Sequence, residues 1–225
     1  MVSKRKKNLS ELIAAEIPVE QVPWTDLTPA AEMLYRAFAD NPMMRFMASV
    51  ARSTNHAVRE NFKYILQRAR VNGIITRTSA RYEGVAVWFL QGFARSNFAL
   101  DASIAWYMLR SYRLRDIQSL LPFYVKIEQA HARIIRQPHY YLEILGVDPQ
   151  YQGQGFSSKL LRPVLAHADR HRKKCYLETQ SPSNVSLYQH FGFEVMDTIP
   201  VDFDLVPYTL MLRKPIPQNS YFFGS

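Results

Sequence analysis

The turn Gln150-Tyr151-Gln152-Gly153-Gln154-Gly155 stands between a strand-like run, His139–Val147 (HYYLEILGV), and an amphipathic run, Phe156–Arg170. A helix that opens there presents amides with no intrahelical acceptor and partial positive charge, the two properties that attract phosphate. Glycine brings backbone close to a ligand without an intervening Cβ. Main-chain donors from Gln152 through Gly153, Gln154, Gly155 and Phe156 to Ser157, with Ser158 beside them, therefore suit a phosphate or pyrophosphate. A Walker loop would end in Gly-Lys-Ser/Thr, which is absent. A dinucleotide fingerprint would need a third glycine where Ser158 stands and a longer chain after the turn. A plain strand-to-helix turn also fits these residues.

Other side chains could move protons. Glu143 is the only acid in HYYLEILGV. Strand alternation places it on one face with Tyr141, Leu145 and Val147, where desolvation raises a carboxyl pKa and suits a base. An ion pair with a nearby arginine, or substrate binding alone, are its alternatives. Tyr188 reads as a phenol on a short helix, packed near Phe191 and Phe193. Asn184 lies one turn earlier on the same face, where a cap or turn role competes with ligand binding. Glu178 either closes the far side of a pocket or pairs with a basic residue. Of six histidines, His167 and His171 are spaced i, i+4 on a face that reads as solvent-exposed, so no metal centre is expected. Cys175 is the single cysteine, which excludes an intramolecular disulfide and a cysteine-built zinc site.

The elements that must position these groups read as follows. A basic tail covers residues 1–8, and a short helix follows Ser10 until Pro18. The stretch Gln21–Leu27 reads as extended. Thr28 N-caps a helix with Pro29 at its first position, and Asp40-Asn41-Pro42 ends it. Residues 43–50 and 54–72 are helical, with Met43, Met44 and Met47 forming either a lid or a core face. Ile74–Thr78 and Gly84–Leu90 form a hairpin. A helical, aromatic and arginine-rich insert spans 95–136. Strands at Lys174–Thr179, Phe193–Ile199 and Tyr208–Leu212, with a helix at Ser183–His190, complete one domain over 9–215. A loose tail is expected over 216–225. The class is mixed α/β.

The chain has 225 residues, 48% hydrophobic and 21% charged, which is ordinary globular composition and excludes fibrous or largely disordered states. The longest apolar run, Gly84–Leu90, is far short of the roughly 20 residues that span a bilayer. The basic N-terminus has no apolar segment after it, so the cytoplasm is the expected compartment, without membrane attachment. A formal charge of +9 favours anionic partners. The cations are scattered over helices, so solvated faces and a small anionic ligand are the expected reading and nucleic-acid binding is not.

The loop Gln150–Gly155 after an apolar strand resembles the acyl-CoA pyrophosphate loop of the GNAT acetyltransferase superfamily. The resemblance extends through Tyr176-Leu177-Glu178-Thr179, Asn184 and Leu187-Tyr188-Gln189-His190-Phe191-Gly192-Phe193, and covers about residues 139–199. Within the superfamily the block is most similar to the branch that includes puromycin N-acetyltransferase. The resemblance implies the GNAT fold: a mixed, mostly antiparallel sheet flanked by helices, with the insert placed before the CoA-binding strand. It implies acetyl-CoA as acyl donor, with pantetheine against the backbone of Leu145, Gly146 and Val147 and with Asn184. Tyr188 would protonate the departing thiolate, and Glu143 would take the amine proton. It implies an N-acetyltransferase acting in a ternary complex on a primary amine, most simply of a small molecule; the arginines of the insert admit a carboxylate-bearing acceptor. A protein or peptide acceptor, or a non-catalytic CoA-binding module, are the competing readings.

Overall fold

A computed structural model describes residues 9–23, 25, 27–51, 54–92, 106, 107, 109–200 and 206–217. Its seven-stranded sheet has the order β1-β2-β3-β4-β5-β7-β6. The strands are β1 (Glu20–Gln21), β2 (Gly73–Arg77), β3 (Gly84–Gln91), β4 (His139–Val147), β5 (Cys175–Thr179), β6 (Glu194–Ile199) and β7 (Tyr208–Arg213). Every pairing is antiparallel except β4 with β5. The helices are α1 (Leu9–Glu16), α2 (Thr28–Ala37), α3 (Pro42–Val50), α4 (Thr54–Asn72), α5 (Leu114–Ile134), α6 (Phe156–Arg170) and α7 (Pro182–His190).

β3 is buried along almost its whole length, which explains why GVAVWFLQ is a continuous apolar run rather than an alternating one. Its two faces serve two cores. Ala86, Trp88 and Leu90 pack with α6 residues Leu160, Leu161, Val164 and Leu165. Val85, Val87 and Phe89 pack with α2 and α4 residues Leu34, Phe62 and Leu66. A third core joins Met43 and Met47 of α3 and Ile127 of α5 to Tyr176 and Leu210. The methionines thus divide: Met43 and Met47 are core, while Met44 is half-buried.

The hairpin β2–β3, the strand His139–Val147 and the helix Phe156–Arg170 lie where the sequence places them. Three details differ. Leu27, not Thr28, caps α2, because its carbonyl already accepts the Ala31 amide at 3.0 Å and so opens the helix a residue earlier. Asn41 caps α3 in the usual way, its Oδ1 accepting the Met44 amide at 3.0 Å.

The second difference is a β-bulge. Val87 pairs with Ile144 and Trp88 with Leu142, so Glu143 is the extra residue on β4. A bulge reverses the faces beyond it. Leu145 therefore packs with Tyr140 and Leu142, while Ile144 joins Tyr141 on the other side. Glu143 does not share one continuous face with Tyr141, Leu145 and Val147.

The third concerns His167, which is 3% exposed rather than on a solvent face. Its Nδ1 hydrogen-bonds the Tyr140 hydroxyl at 3.0 Å and its Nε2 the Glu16 carboxylate at 3.1 Å, because α1 packs over this end of α6. Glu16 also meets His171 at 3.3 Å.

Asp169, two residues on, is buried against Arg213 of β7 in a two-pronged pair at 2.6 and 2.7 Å. The Ile216 amide donates to the same carboxylate at 2.8 Å, and Arg213 Nε donates to the Phe191 carbonyl at 2.8 Å. The insert is helical at 106, 107, 109–111 and through α5; residues 93–105 and 108 lie outside the described residues. Cys175 is buried, and burial pushes its thiol up to about 12. Among the described residues no helix is long and apolar enough to cross a membrane.

Candidate active site

Two strands that begin together and then part make the central feature. β4 and β5 pair at Tyr140–Cys175, Tyr141–Tyr176 and Leu142–Leu177, and no further. From Ile144 to Val147 β4 is paired with β3 alone, so its edge facing β5 has no strand partner along Leu145–Val147, and Gln152 Nε2 takes the Val147 carbonyl. The bulge at Glu143 marks the point of parting. Gly146 answers a separate need: a Cβ there would stand 2.7 Å from Leu34 Cδ2, so glycine lets α2 approach the strand.

At the end of β4, Asp148 pairs with Arg36 at 2.7 Å and accepts the Gln150 amide at 3.3 Å, which fixes the following turn. Gly153 and Gly155 both adopt left-handed backbone, φ 77° and 78°. A Cβ at either would meet nothing within 4 Å, so conformation demands glycine and the space outside the loop stays open. The amides of Ser158 and Lys159 return to the Gly155 carbonyl, while those of Phe156 and Ser157 precede the first helical acceptor. Gln152 braces the loop, its Nε2 donating to the Val147 carbonyl at 3.2 Å. The result is a cradle of outward amides at the start of α6, fit for a diphosphate by donor type and by room.

Behind the parted strands lies a cavity of about 510 Å³. Asn184 and Tyr188, one turn apart on α7, both line it. Tyr188 is 6% exposed, its ring edge-on to Phe193 at 5.8 Å. Its hydroxyl has no hydrogen-bond partner among the described residues, and burial raises its pKa above the usual phenol range. It therefore keeps its proton at neutral pH and can donate it.

Glu143 and Glu178 line the same cavity. Burial raises the Glu143 pKa and the Glu128 charge adds to this, while the Arg68 cation and the Tyr141 hydroxyl pull it down. Glu178 is pushed up to about 7, chiefly by burial and further by Glu143 and Glu128. Two phenols oppose that rise: Tyr141 donates to Glu178 at 2.8 Å and Tyr176 at 2.9 Å. The sequence offered Glu178 as one of two roles, and its place at the pocket wall is the one seen. Glu128 of α5 and Arg68 of α4 complete the charged lining and were not singled out from sequence. An acid on a polar helix face carries no mark of the cavity it borders. The insert arginines Arg110, Arg113, Arg133 and Arg136 are exposed and lie outside the cavity's described lining; Arg95 lies outside the described residues.

Residues 95–193 match the acetyltransferase (GNAT) family model. An uncharacterised N-acetyltransferase of Schizosaccharomyces pombe is 26% identical over 204 residues, covering 84% of this chain and 80% of that relative. A crystal structure from Corynebacterium glutamicum, described as a histone acetyltransferase HPA2 and related acetyltransferase, superposes with TM-score 0.59 at 23% identity, covering 90% of this chain and 99% of that one. A mosquito arylalkylamine N-acetyltransferase-like protein superposes with TM-score 0.57 at 14% identity, covering 88% and 99%. The parted parallel pair and the sheet order around it are thus the GNAT fold. The chain has that fold, and its residues 95–193 match the acetyltransferase model of the family.

Proposed function

We propose that the protein transfers an acetyl group from acetyl-CoA to the primary amine of a small molecule, in the cytoplasm, within the branch resembling puromycin N-acetyltransferase. The observation that carries this reading is the order along one stretch of chain: the cavity-lining residues Tyr141–Leu145, the strand edge that has parted from β5, and the amide cradle follow one another from β4 into α6. Acetyl-CoA supplies the activated acyl carbon. The amides from Gly153 to Ser157, flanked by Gln152 and Ser158, hold its diphosphate, the edge Leu145–Val147 and Asn184 hold its arm, and Tyr188 faces its sulfur. The amine nitrogen forms the new C–N bond as the C–S bond breaks. Glu143 takes the proton that the amine loses, and Tyr188 gives one to the departing sulfur. Positioning supplies much of the rate in such a reaction. The cavity is roofed by α5, whose Tyr124 and Glu128 line it, and this favours a small acceptor over a polypeptide.

A thiol-release assay with acetyl-CoA against a panel of amines tests the proposal, with thermal melts alongside. Turnover of at least one small amine is expected. Ligand at about 100 times its Kd should add about 2.7 kcal/mol of stability. No melting shift with any short acyl-CoA, and no thiol release, would overturn it.

A further inference from the structure

The acceptor cavity carries more negative charge than the transfer reaction uses. Glu128, Glu143 and Glu178 border it, from α5, β4 and β5, and the single arginine or lysine among its described lining residues is Arg68. Arg68 is already engaged: its guanidinium lies 4.8 Å over the Phe89 ring, and its charge acts on Glu143. None of the three carboxylates has an ion-pair partner within 4 Å among the described residues. Glu143 and Glu178 are part-buried in the cavity and Glu128 is exposed at its edge; like charges so gathered repel one another and favour a cation between them. Two of them, Glu143 and Glu178, line the cavity just past the last paired residues of β4 and β5. Glu128 stands apart from the sequence of proton transfers, on the roof, one helical turn beyond Tyr124, whose ring lines the same cavity. Tyr107 adds a second ring. Aromatic faces beside a carboxylate favour an ammonium over a neutral or anionic group, and a cleft of one sign draws in ligands of the other.

The remaining polar wall does not supply an anion site. The Asn61 amide oxygen accepts from the Tyr107 hydroxyl at 3.2 Å, and Gln180 Nε2 is spent on the Val206 carbonyl at 2.9 Å.

We infer that the acceptor is a diamine or longer aliphatic polyamine: one amine reacts between Glu143 and Glu178, and a second, still protonated, is held by Glu128 beside the Tyr124 and Tyr107 rings. The inference rests on the transferase reading and adds the substrate class to it.

The test uses the full chain with acetyl-CoA and three probes of similar length: 1,4-diaminobutane, butylamine and 4-aminobutyrate. The diamine is expected to exceed butylamine in kcat/KM by about threefold to fivefold, the effect of one solvent-accessible ion pair, and 4-aminobutyrate to fall below both. In Glu128→Gln the diamine-to-butylamine ratio should collapse toward one, chiefly through the diamine KM. In Glu128→Lys the order of diamine and 4-aminobutyrate should reverse. Glu128 is exposed on its helix, so both variants should fold. Equal kcat/KM for diamine and butylamine, or a ratio unmoved in Glu128→Gln, overturns the inference while leaving the transferase reading intact. Absence of thiol release with every amine removes both.

Discussion

Tyr141 donates a 2.8 Å hydrogen bond to Glu178 from the last turn of paired strand, reaching across from β4 to the neighbouring β5. Tyr176, two residues before Glu178 on the same strand face, donates to its other oxygen. The acid is thus held by two phenols at the point where the strands separate. Those hydroxyls make an ionised carboxylate tolerable in a buried place without cancelling the cost of burial, and the group is left poised near neutrality.

The first prediction concerns stability. Glu178 titrates at about 7 in the folded protein against an ordinary 4.5. Below pH 4.5 it is protonated in both states. As pH rises toward 7 the unfolded chain ionises first, so this contribution to stability is lost across that window and stays lost above it. Glu178→Gln removes the titration and keeps an acceptor for a tyrosine. The variant should gain melting temperature over the parent at pH 8 relative to the comparison at pH 4. An identical difference at both values refutes the assignment.

The second concerns rate. Burial and the Glu128 charge raise Glu143, and Glu143 in turn raises Glu178. With Glu143 as the base, Glu128→Gln removes a like charge that raises it. The acid limb of kcat/KM should move to lower pH in that variant. A limb that stays in place denies the coupling.

The third concerns Tyr188. Its ring packs on Phe193 while its hydroxyl is free of described partners, so Tyr188→Phe deletes the proton donor and little packing. We expect kcat to fall by about 10²-fold or more with the KM for acetyl-CoA nearly unchanged. A parental kcat ends the acid role.

The fourth concerns Gly155, the left-handed cap of α6. Gly155→Ala meets no protein atom, so only backbone strain of about 1–2 kcal/mol opposes it in the free protein. Melting temperature should drop by a few degrees and the Kd for acetyl-CoA should rise. Affinity equal to the parent would mean that the cradle does not hold the diphosphate.

The fifth concerns the buried pair Asp169–Arg213. Arg213→Ala strands a buried carboxylate and should cost about 3–5 kcal/mol in denaturant unfolding. A loss under about 1 kcal/mol would show that water compensates the site.

Local pattern carried much of this architecture. Periodicity alone located the strand ending at Val147 and the helix opening at Phe156, because each has one dominant period and a clear terminator. The bulge at Glu143 was not legible, since a bulge is a relation between two strands and β3 lies some fifty residues earlier. His167 was misplaced for the same reason: α1 covers it from the far end of the sequence. Within the site, glycine and aromatic spacing exposed the cradle and Tyr188. Glu128 and Arg68 were invisible because their significance comes from a shared cavity and from no periodicity of their own.

Cys175 bears on how all of this can be measured. The protein's one sulfhydryl lies in the sheet interior, with its ionisation suppressed by burial. A colorimetric disulfide dye should leave it untouched in the native state and react with one equivalent only after denaturation. Continuous monitoring of liberated coenzyme thiol therefore starts from a silent background at any enzyme concentration.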